Sequence, residues 1–442
     1  MSKDGKRSLW WSLGCGTIVL LGLTGVDGQD VWHREHEAGA KAAKAARFAD
    51  AEASLARSAD EARKIGNTNP LLARSLLDLG DVYRGEGKYS DAQSCYDEAL
   101  KIYAAQYGVD SLQAAEVFNA QAELYKTLND YSHAEPLLLR TLDIRQKKLQ
   151  ASDLAIAETQ NDLGELYTAT GSFERAEPLL QTAFEVRRRQ LGSEDEKVAQ
   201  SLEAQANLDK ATGKTSDAES KFRQAVGIYG KTVGGEHPDY ANALEGLALF
   251  YSARQQYDQA EPLLTRILEI RENVFGADHH DVAVSLDALA LIKIHKNQYA
   301  EAAVLYRRAL LIWGKVYGQE NTWLSADLAN LAICYENLKD YADAEFTLQR
   351  AVRNDEKGLP PDSIDLAFDL HNLGFLYFLT AHYQQAEPLL KRALDIRIKV
   401  LGLKDRDTVQ TVQTYADVLR LSDRQAEARE WEAKVVSTHP NP

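Results

Sequence analysis

One tyrosine and one alanine, nine positions apart, return every 42 residues along this chain. The alanine never changes, from Ala92 through Ala134, Ala176, Ala218, Ala260, Ala302, Ala344 and Ala386 to Ala428. The tyrosine runs Tyr83, Tyr125, Tyr167, Tyr251, Tyr335 and Tyr377, with Asp209, Lys293 and Leu419 standing in the same register. No insertion or deletion breaks the phase. A period of that size excludes a string of independent globular domains, because each unit buries its apolar face only against its neighbours. Function then belongs to a repeated surface and not to one pocket.

Within the unit from Pro70 to Ser111 the spacing is helical. Leu76, Leu79, Gly80 and Tyr83 share one face of a first helix, and Gly85-Glu86-Gly87-Lys88 ends it. Tyr89, Ala92, Tyr96, Ala99 and Ile102 line a second helix, and Gly108 stands where a left-handed C-cap is needed. Each unit reads as a helical hairpin whose alanine is small because two helices cross there. Ala-Glu-Pro-Leu-Leu occurs four times and places Pro136, Pro178, Pro262 and Pro388 near the first turn of the second helix, predicting a late start or a small kink. Pro360-Pro361 replaces the seventh unit's glycine and predicts a shortened helix with a local change of curvature. Lys293, between Leu291 and Ile294, predicts that the sixth unit is rotated or adjusted.

Aligned on the tyrosine, this pattern of small and apolar residues resembles the tetratricopeptide repeat family. The common repeat of that family is about 34 residues long. The longer period here, visible in AEPLLKRALDIRIKVLG (386–402) and AEPLLTRILEIRENVFG (260–276), is similar to the kinesin-light-chain type. The resemblance implies an all-α fold, a right-handed superhelical solenoid of antiparallel helix pairs, with nine units over residues 70–442 and the last one truncated. Residues 29–69 read as a degenerate capping repeat, in which Phe48, Ala51 and Glu52 imitate Tyr89, Ala92 and Gln93 one residue out of phase. The likeness specifies fold and leaves the partner open.

The first 28 residues form a separate segment. Lys3, Lys6 and Arg7 precede the apolar run LWWSLGCGTIVLLGLTGV from Leu9 to Val26, which reads as a signal peptide or an uncleaved membrane anchor. Either would place the repeats on the far side of a membrane, in the periplasm or outside the cell if the source is bacterial. The formal charge of the chain is −15, which opposes nucleic acid and anionic lipid surfaces, so any membrane association is expected only through the N-terminal segment.

No sequence motif points to catalysis, a metal or a cofactor. Cys95 and Cys334 lie six repeats apart and read as packed thiols. Gly213-Lys214-Thr215 lacks the earlier glycine of a phosphate-binding loop, since Leu208 occupies that place. His33 and His36 have no further ligand nearby, and His237 and His279 are repeat-loop residues. Arg140, Arg266, Arg308, Arg350 and Arg392 form one ladder on the second helices; Arg145, Arg187, Arg271 and Arg397 form another. Both are expected to be solvated or paired with acids such as Asp143, Glu185, Glu269 and Asp395.

In the family, first helices line a concave groove that receives peptides. The resemblance implies that positions −9, −6, −2 and +1 from the tyrosine face it. The candidate groove residues are then Glu116, Asn119, Glu123, Lys126, Glu158, Asn161, Glu165, Glu203 and Asn207, followed by Leu249, Leu291, Ile294, Ile333, Phe368, Phe375 and Phe378. The groove is expected to be polar and acidic towards the N-terminus and apolar and aromatic towards the C-terminus, although the same period also suits core packing. Asn119 and Asn161 match asparagines that hydrogen-bond a peptide backbone in kinesin-light-chain-like repeats. Those proteins favour acidic peptides, which an acidic groove rejects, so a ligand with basic and apolar side chains is expected here. The reading is a non-enzymatic scaffold that binds protein segments. The alternative is a structural assembly subunit that uses its convex face or end caps.

Overall fold

A computed structural model describes residues 25–45 and 47–436. Among them are twenty α-helices, one short 3₁₀ turn and no strand. The chain divides into two compact parts at Leu166/Tyr167. The first holds α1 (Gly25–Lys44), α2 (Phe48–Ile65), α3 (Pro70–Gly85), α4 (Tyr89–Tyr107), α5 (Leu112–Thr127), α6 (Tyr131–Lys148) and most of α7 (Leu154–Ala169). The second continues with α8 (Phe173–Leu191), α9 (Glu196–Ala211), α10 (Thr215–Thr232), α11 (Pro238–Ala253), α12 (Tyr257–Phe275), α13 (His280–His295) and α14 (Tyr299–Tyr317). It ends with α15 (Ser325–Asn337), α16 (Tyr341–Gly358), α17 (Ile364–Leu379), α18 (Tyr383–Val400), α19 (Arg406–Leu421) and α20 (Gln425–Val436). The proposed leader or anchor falls almost wholly outside the described residues, and no described helix is long and apolar enough to cross a membrane.

Three backbone signals recur among the hairpins. The first helix starts at a polar cap that recurs with the repeat. Asn69, Ser111, Asp153, Asp195, His237, His279, Ser363 and Asp405 each accept a hydrogen bond from a backbone N–H of the following turn. His237 and His279 are therefore helix caps that accept through Nδ1. The first helix ends in a left-handed residue, and the next N–H returns to the carbonyl of the tyrosine register, as in Lys88 to Tyr83 and His382 to Tyr377. That left-handed residue is glycine in three repeats, but Gln255, Lys339 and Ala381 adopt it too. The second helix ends at glycines such as Gly276, whose φ of 85° and ψ of 161° lie in a region reserved for glycine and more restrictive than the left-handed cap inferred from sequence.

All nine register alanines are fully buried, as close helix crossing requires. The four prolines lie inside helices α6, α8, α12 and α18, which start before them and run on past them. A late start is therefore excluded. The expectation at Pro360 also fails: α16 has 18 residues, as α6, α10 and α18 do. The shortened helix of that repeat is instead α15, with 13 residues where its counterparts have 16, because Thr322–Leu324 forms a 3₁₀ turn at its start. Leu359 closes α16 before the prolines, with its N–H bonded to the Asp355 carbonyl.

Candidate protein-interaction face

Two side-chain registers tie neighbouring repeats together. The glutamate that follows the register alanine reaches the tyrosine position of the next repeat. Tyr251 Oη donates to Glu219 at 2.9 Å, and Tyr377 Oη donates to Glu345 at 2.8 Å. Lys293 uses the same link, with Nζ 2.6 Å from Glu261 and 2.7 Å from Glu301. A cation simply replaces a hydroxyl donor there, so no rotation of the sixth repeat is needed. Asp209 inverts the chemistry and accepts from Lys221 at 2.5 Å.

The second register overturns the expectation for one arginine ladder. Arg145, Arg187, Arg271 and Arg397 are buried, and none pairs with the acid two positions before it. Each reaches into the following repeat. Arg145 Nη1 donates to the Ala155 carbonyl and to Thr159 Oγ1, both at 2.7 Å. Arg187 Nη1 donates to the Lys197 carbonyl at 3.0 Å and to Ser201 Oγ at 2.9 Å. Arg397 repeats this with the Asp407 carbonyl and Thr411, and Arg271 bonds Ser285 and Glu245. The register is thus a clamp from an arginine to a hydroxyl 14 residues later. In Arg145, Arg187 and Arg397 both bonds leave Nη1, whose two N–H groups serve the carbonyl and the hydroxyl at once. The other ladder is exposed and does pair with acids or loop oxygens, as Arg140 does with Asp110 at 3.3 Å and Arg266 with Glu236.

Consecutive first helices touch one another, α3 with α5 in the first part and α9 with α11, α13 with α15, α15 with α17 and α17 with α19 in the second. Among the described residues, second helices show no comparable contact with each other. Within each part the first helices therefore form the more closely spaced row. The candidate groove residues lie on this row, but their environments differ from the expected division.

In the first part the acids come with their own cations. Lys126 Nζ lies 2.7 Å from Glu123 and 2.9 Å from Glu165, and these neighbours with Asp162 raise its pKa despite its burial. Glu116 faces Arg74 at 3.4 Å and Glu158 faces Arg145 at 3.1 Å. Asn119 and Asn161 are half-buried and buried, and spend their amide donors on Asp162 and Glu165. Their carbonyl oxygens remain without a partner.

In the second part Glu203 is half-buried and Asn207 exposed on α9. Leu249, Leu291 and Phe368 are exposed by 53, 44 and 45%, which places them on the surface and not in the core. Ile333 and Phe375 are half-buried, Phe375 stacking on His371. Ile294 and Phe378 pack against buried cores, so the +1 register is shared between surface and interior. The expected separation of acidic from apolar halves is not what the structure holds. Acids absent from the candidate set, half-buried Asp287 and buried Asp355 and Asp369, lie among the apolar residues of the second part. Each has one carboxylate oxygen without a partner. Burial, together with Asp355 and Asp365, pushes the Asp369 carboxyl up to about 8. Asp287 stands at the assumed −6 groove position, whereas Asp355 and Asp369 fall in the clamp register, outside the assumed positions, and so escaped sequence reasoning.

Hairpins stacked through repeating clamps, with neighbouring first helices in contact within each part, define an all-helical repeat protein of the protein-binding class. The tetratricopeptide repeat family matches residues 36–105, 77–147, 155–231, 239–310, 288–357 and 366–439, and the chain belongs to it. No curated protein matches the chain in sequence. Among solved structures it is similar to a putative kinesin light chain with nearly identical repeats from Podosopora anserina, at 24% identity over 46% of this chain and 97% of that one, with a TM-score of 0.42. It also resembles a signal-transduction ATPase with a tetratricopeptide repeat sensor from Pyrococcus horikoshii, at 14% identity over 85% of this chain and 53% of that one, TM-score 0.63. The apo form of RapI matches at 15% identity over 73% of this chain and 97% of that one, TM-score 0.55. Proteins of this family generally mediate protein–protein interaction.

Proposed function

We propose that this chain is a non-enzymatic scaffold that binds extended protein segments along its first-helix row, with side chains both basic and apolar. One observation carries the reading. In the second part, exposed Leu249, Leu291 and Phe368 lie on first helices α11, α13 and α17, and Asp287 on α13 and Asp369 on α17 each keep a buried carboxylate oxygen without a partner. Burying an ionised carboxylate without a partner is costly, and a cationic ligand removes that cost while the apolar side chains supply contact area. In the first part, the unpartnered carbonyls of Asn119 and Asn161 are suited to accept peptide N–H groups. The test is a peptide array probed with residues 29–442, varied independently in net charge and apolar content. Preference for peptides that are both basic and apolar, lost in Phe368→Ala, supports the reading; binding indifferent to either property removes it.

A second reading has its own observation. On the second-helix side, Leu311 and Phe346 are exposed by 63 and 64% and line a cleft of about 360 Å³ with Arg307 and Arg350. This suits assembly through that face. Self-association in sedimentation that Phe346→Asp abolishes, with no peptide preference on the array, moves the function there. Export or anchoring through the N-terminal segment rests on its basic flank and apolar run. Retention of the full-length chain in the compartment of synthesis excludes it.

A further inference from the structure

The clamp register gives a rule that two interfaces break: after the sixth repeat, where Trp313 is followed 14 residues later by Asp327, and after the seventh. The position holding Arg145, Arg187, Arg271 and Arg397 holds Tyr103 and Tyr229 in two other repeats, where its partner 14 residues later is Val117 or Ala243. An arginine meets a hydroxyl and a tyrosine meets an apolar side chain, so both combinations leave the interface satisfied. Asp355 occupies the arginine position of the seventh repeat, and the residue 14 positions later is Asp369. Two carboxylates thus stand where a guanidinium and its acceptor stand elsewhere.

The space that an arginine would fill is open. A cavity of about 650 Å³ lies between α15, the end of α16 and the start of α17, and Asp355, Asp365 and Asp369 line it. Asp355 is fully buried, and Ser325 Oγ donates to its Oδ1 at 2.5 Å. Asp369 is 2% exposed. The Oδ2 atoms of both are buried without a hydrogen-bond partner. Exposed Phe368 lines the same cavity, and so does Ala326, the residue in the equivalent groove register of α15, so the cavity borders the first-helix row. Among the described residues no three acid, histidine or cysteine side chains converge closely enough to hold a metal ion. A planar cation with several N–H donors suits two separated carboxylates better than a single metal centre does.

We infer that Asp355 and Asp369 form a receptor for a guanidinium group, filled by an arginine side chain of the bound protein segment and replacing the internal arginine found at the other clamps. The inference rests on the proposed scaffold function for the nature of the ligand. Phe368 at the mouth favours an apolar residue next to that arginine.

Calorimetric titration of the full-length protein with N-acetyl-arginine amide, its neutral citrulline analogue, free arginine and the capped dipeptide arginyl-leucine amide tests this. The capped arginine compounds should bind, the dipeptide more tightly than free arginine, and citrulline should not. Asp355→Asn and Asp369→Asn should each weaken binding about tenfold or more, the loss of one charge-assisted hydrogen bond. The double variant Asp355→Arg/Asp369→Thr rebuilds the Arg397–Thr411 clamp and should stay folded by circular dichroism while losing the site. Equal binding by wild type and that variant, equal binding of citrulline, or no binding at all overturns the inference. Tighter binding of free arginine than of the dipeptide overturns the assignment to a protein segment. Should the rebuilt variant keep an unaltered basic-plus-apolar preference on the array, the scaffold reading stands and this site falls. Site binding without any array preference does the reverse.

Discussion

Arg187 lets the clamp be tested as a coupled pair. Replacing it with methionine keeps most of the apolar stem but removes two N–H donors, to the Lys197 carbonyl and to Ser201 Oγ. Charge-assisted hydrogen bonds contribute about 1.5–3 kcal/mol each, and part of that is offset because a buried cation no longer needs desolvation. A net loss of about 2–4 kcal/mol is expected for Arg187→Met. Ser201→Ala removes one acceptor from a cation that stays buried, at a loss of about 1.5–3 kcal/mol. The double variant should fall well short of the sum. Without the guanidinium, the Ser201 hydroxyl already has an acceptor in the Lys197 carbonyl at 3.2 Å and contributes little more. A coupling of about 2 kcal/mol follows. An array of this length need not unfold in one step, so the cycle is read by hydrogen exchange of peptides from α8 and α9. Arg140→Met on the exposed ladder is the control, with an expected change below about 0.5 kcal/mol. Additivity within about 0.5 kcal/mol at Arg187 and Ser201 would refute the clamp, leaving Arg187 as packing volume alone.

Three further outcomes are open to the same measurements. Ala381 holds φ = 60°, so Ala381→Gly should stabilise the α17–α18 turn by about 1 kcal/mol, and Gly276→Ala should destabilise the end of α12 by about 1–3 kcal/mol; thermal melts decide both. Lys293→Tyr restores the register donor to Glu261 and should leave stability unchanged or raised, whereas Lys293→Met removes that donor and should lower it by about 1 kcal/mol. Asp369 binds its proton more tightly folded than unfolded, because its pKa rises from 3.8 to about 8. Local stability should then fall as pH rises through that window, by at most about 1.4 kcal/mol per unit, and Asp369→Asn should be increasingly the more stable form between pH 5.5 and 8 by hydrogen exchange of α17; a constant difference across that range refutes the assignment.

The hairpins were legible because tyrosine and alanine spacing reports packing within one helix pair. Contacts between repeats were harder to read. Arg145 lies near Asp143 in sequence, yet its partners are Ala155 and Thr159, beyond a loop, and no local charge pattern indicates them. The cap register from Asn69 to Asp405 was visible in principle, but it mixes asparagine, serine, aspartate and histidine and so escapes a search for identity. At Pro360 the error was physical: a proline outside a helix need not shorten it, and α16 had already closed at Leu359. The groove was misjudged because acids were counted without the cations beside them. Lys126, Arg74 and Arg145 accompany the acids of the first part, while Asp355 and Asp369 of the second part belong to another register.

Two neighbouring interfaces show how the absence of a clamp arginine is accommodated. After the sixth repeat Trp313 takes the arginine position and donates to Asp287 at 3.0 Å, and burial beside Asp327 pushes the Asp287 carboxyl up to about 8. There a large side chain fills the arginine position and engages one oxygen of Asp287. After the seventh repeat the side chain is short and the space remains open, so protonation of Asp369 alone can quiet the like-charge pair. That is sufficient for folding at neutral pH, since the carboxyl titrates near 8. It leaves a cavity and two unpartnered oxygens that an internal arginine, as at Arg397, would have removed. Stability alone favours the clamp, so the interface after the seventh repeat is intelligible when a cation from outside the chain completes it.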